Sequence, residues 1–178
     1  MKKGQDNIIE RCIDGDIKAQ FLLYKQYSKA MYNIAIRFLN NSMDAEDILQ
    51  ESFVTVFEKI GTLDRKSAFG SWLKRIVINN CISFLRKNRV FFEEVDDYPD
   101  YQDDQANPFF AVDPAVIHEN IRKLPDGART VLVLYALEGY NHREIAEMLN
   151  ITDSTSRTQY KRALGLLSKS LKSEIYVN

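Results

Sequence analysis

Upstream of residue 91 every periodic run of apolar positions has helical spacing. Ile8, Ile9, Cys12 and Ile13 predict a short helix that Gly15 stops, and Asp16 stands where the next helix needs an N-cap. Ile17, Phe21, Tyr24, Met31, Ala35 and Phe38 then recur at steps of three and four, with small Ser28 in the gap, and predict one long amphipathic helix with these residues inward. After the break at Asn40-Asn41-Ser42, a third helix buries Ala45, Ile48 or Leu49, Ser52, Phe53, Val56 and Ile60, and ends at Gly61. A fourth runs from about Phe69 to Lys87 with Trp72, Leu73, Ile76, Val77, Cys81 and Phe84 on its apolar side.

The pattern fails between residues 91 and 112 and returns as shorter pieces. Asp113-Pro114 is an N-cap followed by proline at the first helical position, and Ile117, Ile121 and Leu124 continue one face. Leu124-Pro125-Asp126-Gly127 interrupts; a compact helix with Val131, Leu132, Leu134 and Tyr135 then ends at Gly139. Asn141-His142-Arg143-Glu144 is a capping box with Asn in the capping position, which puts His142 at the surface. Ile145, Ala146 and Leu149 form a buried edge, Asn150 suits a left-handed turn, Ile151 plugs the gap, and Asp153 or Ser154 caps the last helix. Tyr160, Leu164, Leu167 and Leu171 are expected inward; Arg157, Thr158, Lys161 and Arg162 point outward. Two short helices joined by a tight turn, with cations on the N-terminal half of the second, are the layout of a DNA-binding helix-turn-helix.

Charge changes the picture, because the net charge of -1 hides a segregation. Residues 1–90 hold 15 Lys/Arg against 10 Asp/Glu, residues 91–120 hold none against 9, and residues 121–178 hold 9 against 6. Two basic bodies flank an acidic strap, and like charges at that density keep a linker extended. The expected organisation is therefore all-α, with helical domains at 1–90 and 113–178 joined by a flexible acidic linker at 91–112. Residues 155–172 carry Arg157, Lys161, Arg162, Lys169 and Lys172 and no acid, which suits DNA phosphate. In the first domain the third helix has an acidic outer face, Asp44, Glu46, Asp47, Glu51 and Glu58. The helix dipole accounts for acids in a first turn, but Gln50 and Glu51 lie beyond it. The fourth helix mixes aromatic rings with Lys74, Arg75, Arg86 and Lys87, the combination that holds unstacked bases, and carries Asn79 and Asn80 in mid-helix, where Asn is a poor former.

With 178 residues, 45 % apolar composition, ten Phe and nine Tyr, there is material for packed cores, and global disorder is excluded. No run approaches the roughly 20 apolar residues of a membrane span, and no signal core follows the start, so a cytoplasmic protein is expected. Cys12 and Cys81 lie far apart, outside any CxxC, and read as small buried hydrophobes. With two histidines, His118 and His142, imidazole catalysis and His-rich metal sites have few candidates; no enzyme, cofactor or metal is expected. The acid run as a nuclease metal site is disfavoured because metal ligands must be held in place, which a linker does not do.

Taken in order, these segments resemble the extracytoplasmic-function (ECF) type of RNA polymerase sigma factor of the sigma-70 family. Asp44-Ala45-Glu46-Asp47-Ile48-Leu49-Gln50-Glu51-Ser52-Phe53 resembles the part of region 2 that docks on the coiled coil of the largest polymerase subunit. Phe69 to Leu85 is similar to the segment that melts and reads the -10 element, and Leu124-Pro125, Leu137-Glu138-Gly139-Tyr140, Glu144-Ile145-Ala146 and Arg157 to Ala163 are similar to region 4. The resemblance implies that Asp44, Glu46, Asp47, Gln50 and Glu51 bind core RNA polymerase. It implies -10 contacts at Arg65, Lys66, Phe69, Trp72, Lys74, Arg75, Asn79 and Asn80, and -35 contacts at Ser154, Thr155, Arg157, Thr158, Lys161 and Arg162. Promoter DNA and core polymerase are the implied partners, an anti-sigma factor is common in the family, and the free chain is expected to be a monomer. Two positions depart from the family pattern: Asn150 replaces the usual turn glycine, and Ser156 stands where members often carry a buried valine. The other reading is a two-domain regulator that binds operator DNA through residues 124–172 without polymerase.

Overall fold

The computed structural model describes residues 2–64, 68–88 and 113–175. All regular elements among them are helical: α1 (Lys2–Ile13), α2 (Ile17–Leu39), α3 (Ser42–Lys59), a 3-10 turn (Ile60–Thr62), α4 (Phe69–Lys87), α5 (Pro114–Arg122), α6 (Asp126–Leu132), a π turn (Val133–Leu137), α7 (His142–Leu149) and α8 (Asp153–Ile175). Two compact units emerge, Met1–Asn88 and Arg89–Asn178. The acidic strap expected at 91–112 lies outside the described residues.

In the first unit α2, α3 and α4 pack pairwise and α1 lies against α2. The joints are set by short polar side chains. Gly15 turns the chain at φ 81°. Asp16 then caps α2, accepting from the Lys18 and Ala19 amides at 2.9 and 3.2 Å. Its other oxygen takes the Arg11 guanidinium at 2.7 Å, tying α1 to α2. Arg11 first, and the Ala19 amide after it, hold the Asp16 carboxyl below the usual carboxylate range. At the next joint Asn40 ends α2 in the left-handed conformation, φ 54°. Asn41 caps α3 through the Met43 and Asp44 amides at 2.9 and 3.3 Å. A triplet that reads as a simple break thus does two separate jobs.

Phe38, Phe69, Leu73, Val77, Ile78 and Cys81 are sealed in this core, and Tyr24 meets Phe53 edge-on at 4.8 Å. Burial pushes the Cys81 thiol up to about 12, as befits a small apolar group, and raises Cys12 as well. Both Ile48 and Leu49 are buried. The expected inward placement of Ile17 and Phe21 is wrong: they are 78 % and 64 % exposed, and Ile13 is also exposed. The first turns of α2 bury Ala19 and Leu23 instead, and at 3.6 residues per turn Ile17 lies across the helix from Ala19.

In the second unit Asp113 caps α5 through the Ala115 amide at 2.8 Å, with Pro114 in the first turn. The single compact helix expected up to Gly139 is instead α6 continued by a wide π turn. There the Glu138 amide donates to the Val133 carbonyl and the Tyr140 amide to that of Leu134, both at 3.0 Å, before Gly139 reverses the chain at φ 81°. The widened turn leaves Tyr135, expected inside, 39 % exposed. Arg129, an unforeseen core residue, is 2 % exposed; it donates to the Leu124 carbonyl at 2.7 Å and pairs with Asp126.

The capping box forms as expected: the Asn141 side chain accepts from the Glu144 amide at 3.0 Å, and Glu144 accepts from the Asn141 amide at 2.8 Å. Asn150 adopts φ 55°. Thr152, rather than Asp153 or Ser154, caps α8 by accepting from the Thr155 amide at 3.0 Å. The buried line of α8 is Ser156, Gln159, Ala163, Leu167 and Leu171. Tyr160 and Leu164, expected inward, are half-buried. The stripe runs one position earlier than side-chain size implies, and its small or polar members let the first half of α8 sit close to its neighbours.

Replacing Phe38 by alanine should remove about 3–5 kcal/mol of stability in urea unfolding. Phe21→Ser should stay within about 0.5 kcal/mol of wild type; a large loss there would mean that the α2 face is covered in the folded chain.

Candidate functional site

Three helical faces carry the residues singled out by sequence. On α3, Glu46, Asp47, Gln50 and Glu51 are exposed and Asp44 is half-buried. Between them stand two apolar side chains that the acidic reading passed over: Met43 is 73 % and Val54 57 % exposed. Met43, Asp47, Gln50 and Val54 follow one another at steps of four, three and four, the spacing of a seam that meets another helix in coiled-coil fashion. That spacing was available in sequence and marks Met43 and Val54 as docking candidates. Alongside lies a cavity of about 490 Å³ between α2 and α3, walled by Tyr24, Lys29, Tyr32, Glu46 and Gln50. One wall brings a cation and phenols, the other acid and amide.

On α4 the expected cluster divides. Arg65 and Lys66 lie outside the described residues. Phe69 is completely buried, its ring 5.2 Å from that of Tyr27, so it cannot stack on a base and instead supports the helix start. Trp72 is half-buried at 6.0 Å from Phe69; Arg75 and Asn79 are exposed and Lys74 is half-buried. Asn80 turns inward, donating to the Ser52 hydroxyl at 3.0 Å, and Ser52 donates to the Ile48 carbonyl at 2.7 Å. Its amide bridges α4 to α3 rather than pointing at DNA. The two mid-helix asparagines that puzzled the pattern are thus one structural and one outward.

On α8, Ser154, Arg157 and Lys161 are exposed, and Thr155, Thr158 and Arg162 are half-buried. Arg157 pairs with Asp153 at 2.6 Å, which holds its guanidinium above the ordinary value. The bond uses Nε, which leaves the two NH2 groups of the guanidinium for other acceptors. Thr158 donates to the Ser154 carbonyl at 3.0 Å, within its own helix. Arg162 turns toward a groove of about 510 Å³ that Lys123, Leu166 and Lys169 also line, so it sits apart from the other contact candidates.

His142 is not at the surface: it is 8 % exposed, with Nδ1 2.9 Å from the hydroxyl of fully buried Ser156. Its ring stacks on Tyr135 at 4.4 Å and meets the edge of Tyr160 at 5.7 Å. Burial pushes the imidazole pKa down, Arg157 adds to that, and Asp153 opposes it. Capping-box position predicts exposure; the π turn overrides it by laying Tyr135 over the ring. Among the described residues no group of three or more His, Cys, Asp or Glu could hold a metal ion, and no helix is long and apolar enough to cross a membrane.

Residues 23–90 match the model of sigma-70 region 2, and residues 115–167 that of sigma-70 region 4. The ECF RNA polymerase sigma factor SigW of Bacillus subtilis is 32 % identical over 177 residues, covering 92 % of this chain and 95 % of that one. The chain belongs to the ECF sigma factors. These are the initiation factors that direct RNA polymerase to promoters. The RNA polymerase sigma-H factor of Pseudomonas aeruginosa is 28 % identical, with 96 % of this chain and 95 % of that one covered. In fold, this sigma factor is similar to RpoE of Bartonella quintana, solved in complex with the anti-sigma factor NepR: TM-score 0.53, 21 % identity, 88 % of this chain and 98 % of that one.

The divided asparagines give a direct check. Asn80→Ala should lower stability by about 1 kcal/mol through loss of the Ser52 bond, while Asn79→Ala should leave it within about 0.5 kcal/mol. Thermal unfolding of the two variants separates the roles, and equal losses would remove the distinction.

Proposed function

We propose that this sigma factor docks on core RNA polymerase through the outer face of α3, with Asp47, Gln50 and Glu51 as the polar contacts, Met43 and Val54 as the apolar ones, and Asp44 and Glu46 at one end. The observation that carries this is the exposed 4-3-4 seam on α3, with Asp47 in it and exposed Glu46 and Glu51 beside it. A domain at 1–90 docks and reads the -10 element, residues 91–112 tether, and a domain at 113–178 reads the -35 element. On α4, Trp72, Lys74, Arg75 and Asn79, with Arg65 and Lys66 just before them in sequence, contact the melted strand; opening each base step costs a few kcal/mol that pocket contacts repay. On α8, Ser154, Arg157, Thr158 and Lys161 face the major groove, where an Arg or Lys can bond guanine. Thr155 and Arg162 serve at its edge.

The chain acts without catalysis of its own and without cofactor, in the cytoplasm where polymerase works, and is monomeric when free. An anti-sigma factor is a further partner; RpoE of Bartonella quintana, similar in fold, was solved in complex with one, which supports this. A regulator that ignores polymerase has no use for the α3 seam.

Size-exclusion co-migration with core RNA polymerase tests the reading. The wild type should co-migrate, and the Asp47→Lys/Glu51→Lys variant should not, with its helical circular dichroism unchanged. A folded wild type that fails to bind would overturn it. In promoter binding, Arg157→Ala should cost roughly 1 to 3 kcal/mol on the recognised sequence alone. Arg162→Ala should cost less there and weaken all sequences alike.

A further inference from the structure

A buried polar bond joins the two helices of the helix-turn-helix. His142 opens α7, Ser156 lies in the first turn of α8, and their side chains meet at 2.9 Å with the hydroxyl fully buried. Ser156 immediately precedes Arg157, an exposed cation of the recognition face, and its amide is fixed to the Thr152 carbonyl at 3.0 Å. Whatever sets the depth of Ser156 also sets where Arg157 and Thr158 point. Recognition groups must be held to within about 0.5 Å to discriminate, so this bond is placed where a small shift matters.

We propose that His142 and Ser156 are positioning residues for promoter recognition: their hydrogen bond fixes the seat of α8 against α7, and sequence discrimination falls when the imidazole takes up a proton. The inference rests on the reading of α8 as the -35 element reader.

The surroundings favour the neutral ring. From the π turn, Tyr135 stacks on it; from α8, Tyr160 meets its edge, Arg157 opposes a positive charge and Asp153 favours one; on α7, Arg143 and Glu144 flank it. The N-terminus of α7 adds the positive end of a helix dipole. A neutral Nδ1 can accept the hydroxyl proton of Ser156. A protonated one can only donate, leaving that buried hydroxyl proton without its acceptor and placing a charge where water is nearly excluded. The imidazole then gains by swinging toward solvent, which leaves space beneath Tyr135. Because the folded ring has its pKa below the ordinary 6.5, the seat is intact above that pH. It is lost as pH falls through the folded value.

The test uses the full chain bound to core polymerase and a duplex selected from a randomised pool by the wild type at about pH 7.5. Affinity for it relative to a scrambled duplex is measured at about pH 7.5 and about pH 5.5, spanning the imidazole range. The wild-type ratio should fall about tenfold, and His118→Gln, which changes an exposed histidine of α5, should show the same fall. Ser156→Val should reduce the ratio already at the higher pH by leaving the imidazole unpaired. The His142→Phe/Ser156→Val double variant, an apolar pair, should recover the ratio and make it flat in pH; it carries the test if the single variant unfolds by circular dichroism. A wild-type ratio flat in pH, or a double variant that keeps the wild-type pH dependence, overturns the proposal. A wild type that selects no sequence at either pH removes the -35 reading, and this inference with it.

Discussion

An α-helix can give only one stripe of its side chains to a core, and in both units that constraint decides what is left for partners. In α3 the stripe is Ala45, Ile48, Leu49, Ser52, Phe53 and Val56. The opposite side is therefore outward whatever residues occupy it, and it holds Met43, Asp47, Gln50 and Val54 at seam spacing. An outward seam of this kind needs no special loop or cavity. It asks for a helix held firmly on one side, and the contacts of α3 with α2 and α4, with Asn80 bonded to Ser52 across the α4 joint, provide that.

The same constraint works differently in α8. Its buried line begins with Ser156, Gln159 and Ala163, none of them bulky and apolar, and only later reaches Leu167 and Leu171. Large residues at the start would hold α8 away from α7. Small and polar ones allow close approach but must be satisfied, and the His142 imidazole answers for Ser156. The N-terminal half of α8 is thus seated by polarity and its C-terminal half by apolar packing.

Most of this architecture is legible in the sequence where local chemistry decides. Asp16, Asp113, Asn141 with Glu144, and Asn150 act where cap and turn preferences put them. Reading failed where a neighbouring element decides. Ile17 and Phe21 have helical spacing, yet both are exposed, because α2 packs through the side that carries Ala19 and Leu23. His142 sits at a position that is usually exposed, yet a π turn no propensity announces covers it with Tyr135. Phe69 and Asn80 carry chemistry suited to DNA, and packing claims both. For the candidate site, residue types and faces were readable, while the division into contact, support and bridge needed the third dimension.

The two cysteines bear on the conditions in which such a factor can work. Thiols react with peroxides and disulfides as thiolates, and only when a reagent can reach them. Cys81 is sealed and held protonated up to about 12, and Cys12 is buried and raised in the same direction. Oxidants that act on accessible thiols find no such handle at Cys12 or Cys81.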